Sequence, residues 1–119
     1  MNKRTFGSSS EQLAIKYLKS EGYLFLDRNN YFKGGEIDII MQEDDFIVFV
    51  EVKSLGADRI ITIYETLSQT KKRRLRNSIN KWLLKNNKLE TPWRLDFVGI
   101  VYDNTGGYEI EHFKFIDIN

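Results

Sequence analysis

Asp38, Glu51 and Lys53 are the side chains best placed to do chemistry, because each interrupts a stretch that otherwise reads as an apolar strand: Glu36 to Met41, and Phe46 to Lys53. Strand side chains alternate between faces. The spacing therefore predicts Glu36, Asp38 and Ile40 on one face of the first strand, with Ile37, Ile39 and Met41 on the other. On the second strand it sets Phe49, Glu51 and Lys53 opposite Val48, Val50 and Val52. Unpaired charge in such strands is expensive to bury. A hard divalent cation offsets it, since Mg²⁺ takes oxygen ligands, keeps several waters and is held by one or two carboxylates plus substrate phosphate. On this reading Asp38 and Glu51 bind Mg²⁺ or Mn²⁺, and Lys53 positions a water or neutralises charge on a phosphate. The competing reading is an Asp38 to Lys53 ion pair across the hairpin with Glu51 partly solvated, because ion pairs of this kind are common in sheets.

The elements that must position these groups follow from the sequence's punctuation. Gln42-Glu43-Asp44-Asp45 turns one strand into the next, Tyr23 to Asn29 alternates as a short preceding strand, and Lys33-Gly34-Gly35 turns into the hairpin. A first helix is predicted from about Ser9 to Glu21, with Ser8 as its cap, Glu11 closing a capping box and Gly22 stopping it. Leu13, Ala14, Tyr17 and Leu18 form its buried stripe. Glu11 extends that stripe toward the helix N-terminus, so two uses compete for it, the capping box and an acidic site at the sheet edge.

After a polar loop from Ser54 to Arg59, Ile60 to Tyr64 reads as a brief strand or an extended connection. A second helix runs from near Ser68 to Asn86-Asn87, burying Leu75, Ile79, Trp82 and Leu83. Lys71 stands four residues before Leu75 and is predicted to point inward, whereas Lys72, Arg73, Arg76, Asn80 and Lys81 flank the stripe or face outward. The run Lys71-Lys72-Arg73-Arg74-Leu75-Arg76 is the densest basic cluster in the chain. Such clusters neutralise phosphates without reading sequence, although many are simply solvated helix faces. Basic charge at a helix N-terminus opposes the macrodipole, which favours an anionic ligand here. Beyond Pro92 come a strand from Trp93 to Tyr102 interrupted by Asp96, the turn Asn104-Thr105-Gly106-Gly107, and a last strand from Tyr108 to Ile116. His112, the sole histidine, reads as a surface or packing residue.

Composition sets the outer bounds. A chain of 119 residues, 29% charged and 13% aromatic, has the makings of one globular domain with a single core. Its net charge of +1 gives no global pull toward nucleic acid, so any basic footprint is local. Without cysteine there is no thiolate metal site. With no apolar leader and no apolar run long enough to cross a bilayer, the expectation is a cytoplasmic protein without a membrane partner. Neither a Ser/His/Asp arrangement nor a phosphate-cradling glycine loop is present, and Gly34-Gly35 and Gly106-Gly107 read as turns.

Gly35-Glu36-Ile37-Asp38-Ile39-Ile40, Val48-Phe49-Val50-Glu51-Val52-Lys53, the Lys71 cluster, Arg94-Leu95-Asp96, and Glu11 with Ala14 together resemble the YraN-like family of small bacterial proteins. That family is in turn similar to the PD-(D/E)XK nuclease superfamily, including archaeal Holliday junction resolvases. The resemblance spans about Gly7 to Val101. It implies an α/β, restriction-endonuclease-like sandwich over residues 1–119, a central mixed β-sheet flanked by α-helices. It also implies Asp38 and Glu51 as acidic metal ligands, Lys53 as the catalytic lysine and Glu11 as the helical glutamate of resolvase-like members. Lys71, with Lys72, Arg73 and Arg76 along the same helix, becomes the basic surface for nucleic acid. In one departure, Leu55 stands where the family usually carries an arginine two residues after the lysine, and Arg59 is the nearest substitute.

The function so implied is a Mg²⁺- or Mn²⁺-dependent endonuclease hydrolysing phosphodiester bonds in DNA, branched or single-stranded. A homodimer is one way for so small a chain to span a junction. The alternatives are a nuclease-like module that holds nucleic acid or a protein partner without cutting, and an acidic cluster that is purely structural.

Overall fold

The computed structural model describes residues 3–32, 35–56 and 67–119. Helix α1 (Lys3–Ser20) leads into strands β1 (Leu24–Phe32), β2 (Gly35–Glu43) and β3 (Phe46–Gly56). Helix α2 (Gln69–Lys85) follows, then β4 (Trp93–Tyr102) and β5 (Tyr108–Phe113). The strands form one sheet in the order β1-β2-β3-β4-β5. β3 and β4 run parallel, and the other neighbours pair antiparallel. This is the α/β fold with a central mixed sheet that the sequence predicts.

The central strand explains why both helices are needed. Ile47-Val48-Phe49-Val50 is an unbroken apolar run buried on both faces. On one face Val48 and Val50 pack with Ala14 and Leu18 of α1, Ile39 and Met41 of β2, and Val98 and Ile100 of β4. On the other, Ile47 and Phe49 pack with Leu75, Ile79, Trp82 and Leu83 of α2. Each such side chain contributes roughly 1.5–3 kcal/mol by leaving water.

Several boundaries differ from expectation. α1 begins at Lys3, so Ser8 lies within the helix rather than capping it, and Glu11 is too deep in the helix to close a capping box. Ser10 is buried and its hydroxyl pairs with Ser54 Oγ and, at 3.1 Å, with Tyr102 Oη. Ser10 thus serves packing onto the sheet rather than capping. At the other end Gly22, at φ 94°, stops the helix as expected. There Tyr23 N donates to the Leu18 carbonyl and Gly22 N to the Lys19 carbonyl. α2 starts as predicted, with Ser68 accepting from Lys71 N at 3.1 Å. β5 ends at Phe113 instead of Ile116. The chain turns back at Phe115, φ 55°, and Ile116 N donates to the Leu95 carbonyl at 2.8 Å, so Ile116 and Ile118 cap the core under α2. Arg59 and Ile60 to Tyr64 lie outside the described residues.

Candidate active site

The site is made where β2 and β3 part. Their ladder runs from Glu43↔Phe46 to Ile39↔Val50 and stops there. One step further, the Asp38 carboxylate takes over as acceptor, receiving the Val52 amide hydrogen at 2.9 Å. The strict face alternation expected of β2 fails at this point. Ile37 packs with Ile40 on the α2 side, whereas Ile39 and Met41 pack on the α1 side. A carboxylate substituting for a backbone carbonyl frees the strand from the ladder, and the alternation shifts with it. β3 keeps its alternation, so Glu51 follows Phe49 onto the α2 side while Val52 packs with the α1 cluster.

Glu51 is 9% exposed, and its Oε1 lies 2.8 Å from Lys71 Nζ on the first turn of α2. Lys71 thus points inward as the helical spacing predicts, and the pair replaces the Asp38 to Lys53 bridge that was the competing reading. Burial raises the Glu51 carboxyl above the usual range, and Lys71 opposes that rise through its charge and its hydrogen bond. Asp38 is also raised, to about 8, first by burial and then by the negative charge of Glu51. The hydrogen bond from Val52 pulls the other way. Two buried carboxyls, one raised by the other's charge, share Lys71 as their closest counter-charge, with Lys53 a weaker one acting on Glu51.

A divalent cation fits that pair. Among the described residues no three or more His, Cys, Asp or Glu side chains converge to hold a metal ion. Asp38 and Glu51 would therefore hold an ion of the kind that completes its shell with water and phosphate oxygens, as Mg²⁺ does. Lys53 shares the Glu51 face of β3 but is exposed; its charge favours ionised Glu51 less than Lys71 does.

Glu11 is brought near without joining the pair. Its Oε2 lies 3.3 Å from Arg28 Nη2 on β1. In the amide orientation that satisfies both groups, Asn29 donates to the same oxygen at 2.9 Å. Burial raises the Glu11 carboxyl, opposed by Arg28, while the Glu11 charge adds to the pressure on Asp38.

Above the carboxylates lies a cleft of about 400 Å³ lined by Gly35, Glu36, Glu51, Ser68, Thr70, Lys71, Arg74 and Leu75. Its narrow floor depends on Gly35, where an added Cβ would stand 2.9 Å from Ser78 Oγ on α2. Of the basic residues expected to meet nucleic acid, Lys71 reaches this cleft, Lys72 is half-buried beside it and Arg73 is exposed. Arg76 is committed elsewhere, since its guanidinium donates to the Ile118 carbonyl and ties α2 to the C-terminal tail. Arg74 is the residue missed. It stands three positions after Lys71, on the same helix stripe, and that spacing alone was signal enough to place it over the acids. Leu55 is buried, so the usual arginine position serves packing in this chain.

The raised carboxyls predict a pH dependence with a definite sign. Asp38 binds its proton more tightly folded than at the ordinary value of 3.8. Its contribution to stability is therefore complete below about pH 4 and lost as pH rises toward 8. Calorimetric melts in chelator are expected to fall between about pH 4 and 8 and to level off above, and Asp38→Asn is expected to flatten that fall.

A family model described as "Uncharacterised protein family UPF0102" matches residues 10–100. A UPF0102 protein of Carboxydothermus hydrogenoformans is 39% identical over 100 residues, covering 84% of this chain and 85% of the relative. One from Alkaliphilus oremlandii is 42% identical over 97 residues, 82% of each chain. Another, from a Nocardioides species, is 32% identical over 112 residues, covering 94% of this chain and 90% of its own. The family description assigns no activity, so activity has to be argued from the site.

Proposed function

The chain belongs to the UPF0102 family, the YraN-like relatives of the PD-(D/E)XK nuclease superfamily, and from that premise we propose that it is a metal-dependent endonuclease acting on DNA, branched or single-stranded. The observation that carries the reading is the pair of buried carboxyls Asp38 and Glu51 at the parting of β2 and β3, beside a cleft that Glu51 lines together with Lys71 and Arg74. Asp38 and Glu51 would hold Mg²⁺ or Mn²⁺, which when bound would supply Lewis acidity toward water and the scissile phosphate.

The protein's own groups do the rest. The Val52 amide holds Asp38 Oδ2, which fixes the carboxylate's orientation and leaves Oδ1 as the oxygen that would take the ion. Lys53, exposed on the Glu51 side of β3, is the lysine that would meet an attacking water or a phosphate oxygen. Lys71, Lys72, Arg73 and Arg74, on the N-terminal half of α2, lay a short positive track for the phosphate backbone. The track is local, as it must be in a chain of net charge +1.

A binding module that does not cut is favoured by one observation: Glu51 already has a counter-charge in Lys71. The deciding experiment is a panel of labelled single-stranded, duplex, flap and four-way-junction DNAs, with RNA counterparts, incubated with and without Mn²⁺. Mn²⁺-dependent product from at least one DNA is the expected result. Steeply salt-dependent binding without product from any member would favour the binding module and set the nuclease aside.

A further inference from the structure

The contact between Lys71 and Glu51 raises a question that the nuclease reading leaves open. An ammonium 2.8 Å from Glu51 Oε1 sits where it would compete with a cation for that oxygen. Among the described residues, Lys71 is the basic side chain that both touches Glu51 and lines the cleft. Its own side chain is 37% exposed, against 11% for Glu51. The lysine thus reaches from the cleft down to the carboxylate, and its stem is long and flexible enough to swing back without moving α2. α2 itself is anchored by Leu75, Ile79, Trp82 and Leu83 in the core and by Ser68 at its cap, so the backbone of Lys71 is fixed while its ammonium is not.

We propose that Lys71 is a built-in counter-cation: it neutralises Glu51 in the ion-free protein, is displaced by the divalent ion, and then turns to the cleft to bind a substrate phosphate beside Arg74. Loading the site with metal thereby completes the phosphate-binding surface, and ion and nucleic acid bind with positive coupling. In this role Lys71 is a positioning residue. The inference rests on the metal-dependent reading of the same pair, and it adds the order of events: the ion first releases the lysine, and the lysine then holds the phosphate.

Two considerations support the exchange over a permanent bridge. A divalent ion brings twice the charge of an ammonium to a pair of mutually repelling carboxylates, so it satisfies Asp38 and Glu51 together, where Lys71 is bonded to Glu51 alone. A released Lys71 does not become a stranded buried charge, because it opens onto the cleft that Thr70 and Arg74 also line.

The test follows the lysine itself, in the whole wild-type chain, without relying on cleavage. Lys71 is acylated by a limiting amine-reactive reagent and quantified by mass spectrometry, with Lys72 and Lys88 as internal references, while Mn²⁺ binding is measured separately by titration calorimetry. Mn²⁺ is expected to raise the Lys71 rate about fivefold, the factor a single partly exposed ion pair sets, and to leave the references unchanged. Glu51→Gln is expected to show the fast rate with no ion present. Asp38→Asn keeps the Glu51 partner, so it is expected to keep Lys71 slow and to lose the response to Mn²⁺. Calorimetric Mn²⁺ binding with an unchanged Lys71 rate would overturn the exchange and leave the metal site standing. No Mn²⁺ binding to the wild-type protein would overturn both.

Discussion

Asp38→Asn and Glu51→Gln are each expected to lower Mn²⁺-dependent cleavage by about a thousandfold or more, while the thermal midpoint in chelator at pH 8 stays at or above wild type. The two halves of this result come from one cause. Burial disfavours the charge of both Asp38 and Glu51, and the Glu51 charge raises Asp38 further. Removing either charge relieves the folded state, which at roughly 1 kcal/mol corresponds to a rise of about 2–5 °C for a chain of this size. Asparagine at 38 keeps an oxygen to accept the Val52 amide hydrogen, so the parting of β2 from β3 survives the substitution. The double variant sharpens the test. In activity it should be no worse than either single, since half an ion site is no site. In stability it should gain less than the sum, since the first substitution already removes the mutual repulsion. Cleavage that persists in both purified single variants would remove these carboxylates from the mechanism. Loss of cleavage with a large fall in melting temperature would show that the pair is structural.

How much of this site was legible in the sequence depended on which physical rule governed each residue. Glu51 and Lys71 were readable because they obey regular periods: Glu51 continues the alternation of Phe49 on β3, and Lys71 stands one helical turn before Leu75 on α2. Asp38 was readable as a charge out of place, but its geometry was not. The alternation that should have set its direction is broken by the hydrogen bond that its own carboxylate makes to Val52, a tertiary event with no local signature. Glu11 was drawn two ways because a capping box and an inward acidic residue share the same short pattern. The answer came from Arg28, seventeen residues downstream across the sheet. Arg74 was passed over although its spacing from Lys71 announced it, and Arg76 lies outside the cleft lining, with its guanidinium donating to the Ile118 carbonyl. The mixed sheet and its helices were legible as a whole, because they rest on long apolar runs at clear periods.

The largest effect on stability is expected from Asp96, on the opposite face from the carboxylate pair. Read along the sequence, Asp96 merely interrupts a strand, and His112 is a lone histidine. In the fold Asp96 has no exposed surface and joins them into a network. Its Oδ1 accepts from Arg94 Nε at 3.0 Å and from Phe115 N at 3.3 Å, and its Oδ2 lies 2.8 Å from His112 Nε2. The far side of the histidine ring meets Tyr17 Oη at 3.0 Å, which ties α1 to β5 through the sheet. Arg94 is enclosed in turn. It donates to Tyr23 Oη at 2.7 Å and Glu43 Oε1 at 2.8 Å, and it lies over the rings of Tyr23, Phe46 and Phe115. Burial raises the Asp96 carboxyl, but the hydrogen bonds from His112 and Arg94 and the Arg94 charge outweigh it and hold the group below the usual carboxylate range. Asp96→Ala leaves Arg94 buried without its main partner and the Phe115 amide without an acceptor, a loss of about 3–5 kcal/mol or roughly 10–20 °C in thermal midpoint. Because the folded carboxyl is depressed, the wild type's contribution from Asp96 is present above the ordinary value of 3.8 and lost as pH falls below it. Between pH 7 and 3 the gap between wild type and Asp96→Ala should therefore narrow, a direction opposite to that expected for Asp38. Denaturant melts of the two proteins at several pH values check it. A gap that stays constant down to pH 3 would mean that Asp96 acts through packing rather than charge. In that case replacing Arg94 and Asp96 together by apolar residues should restore nothing, whereas the ionic account expects the pair replacement to recover at least half the loss.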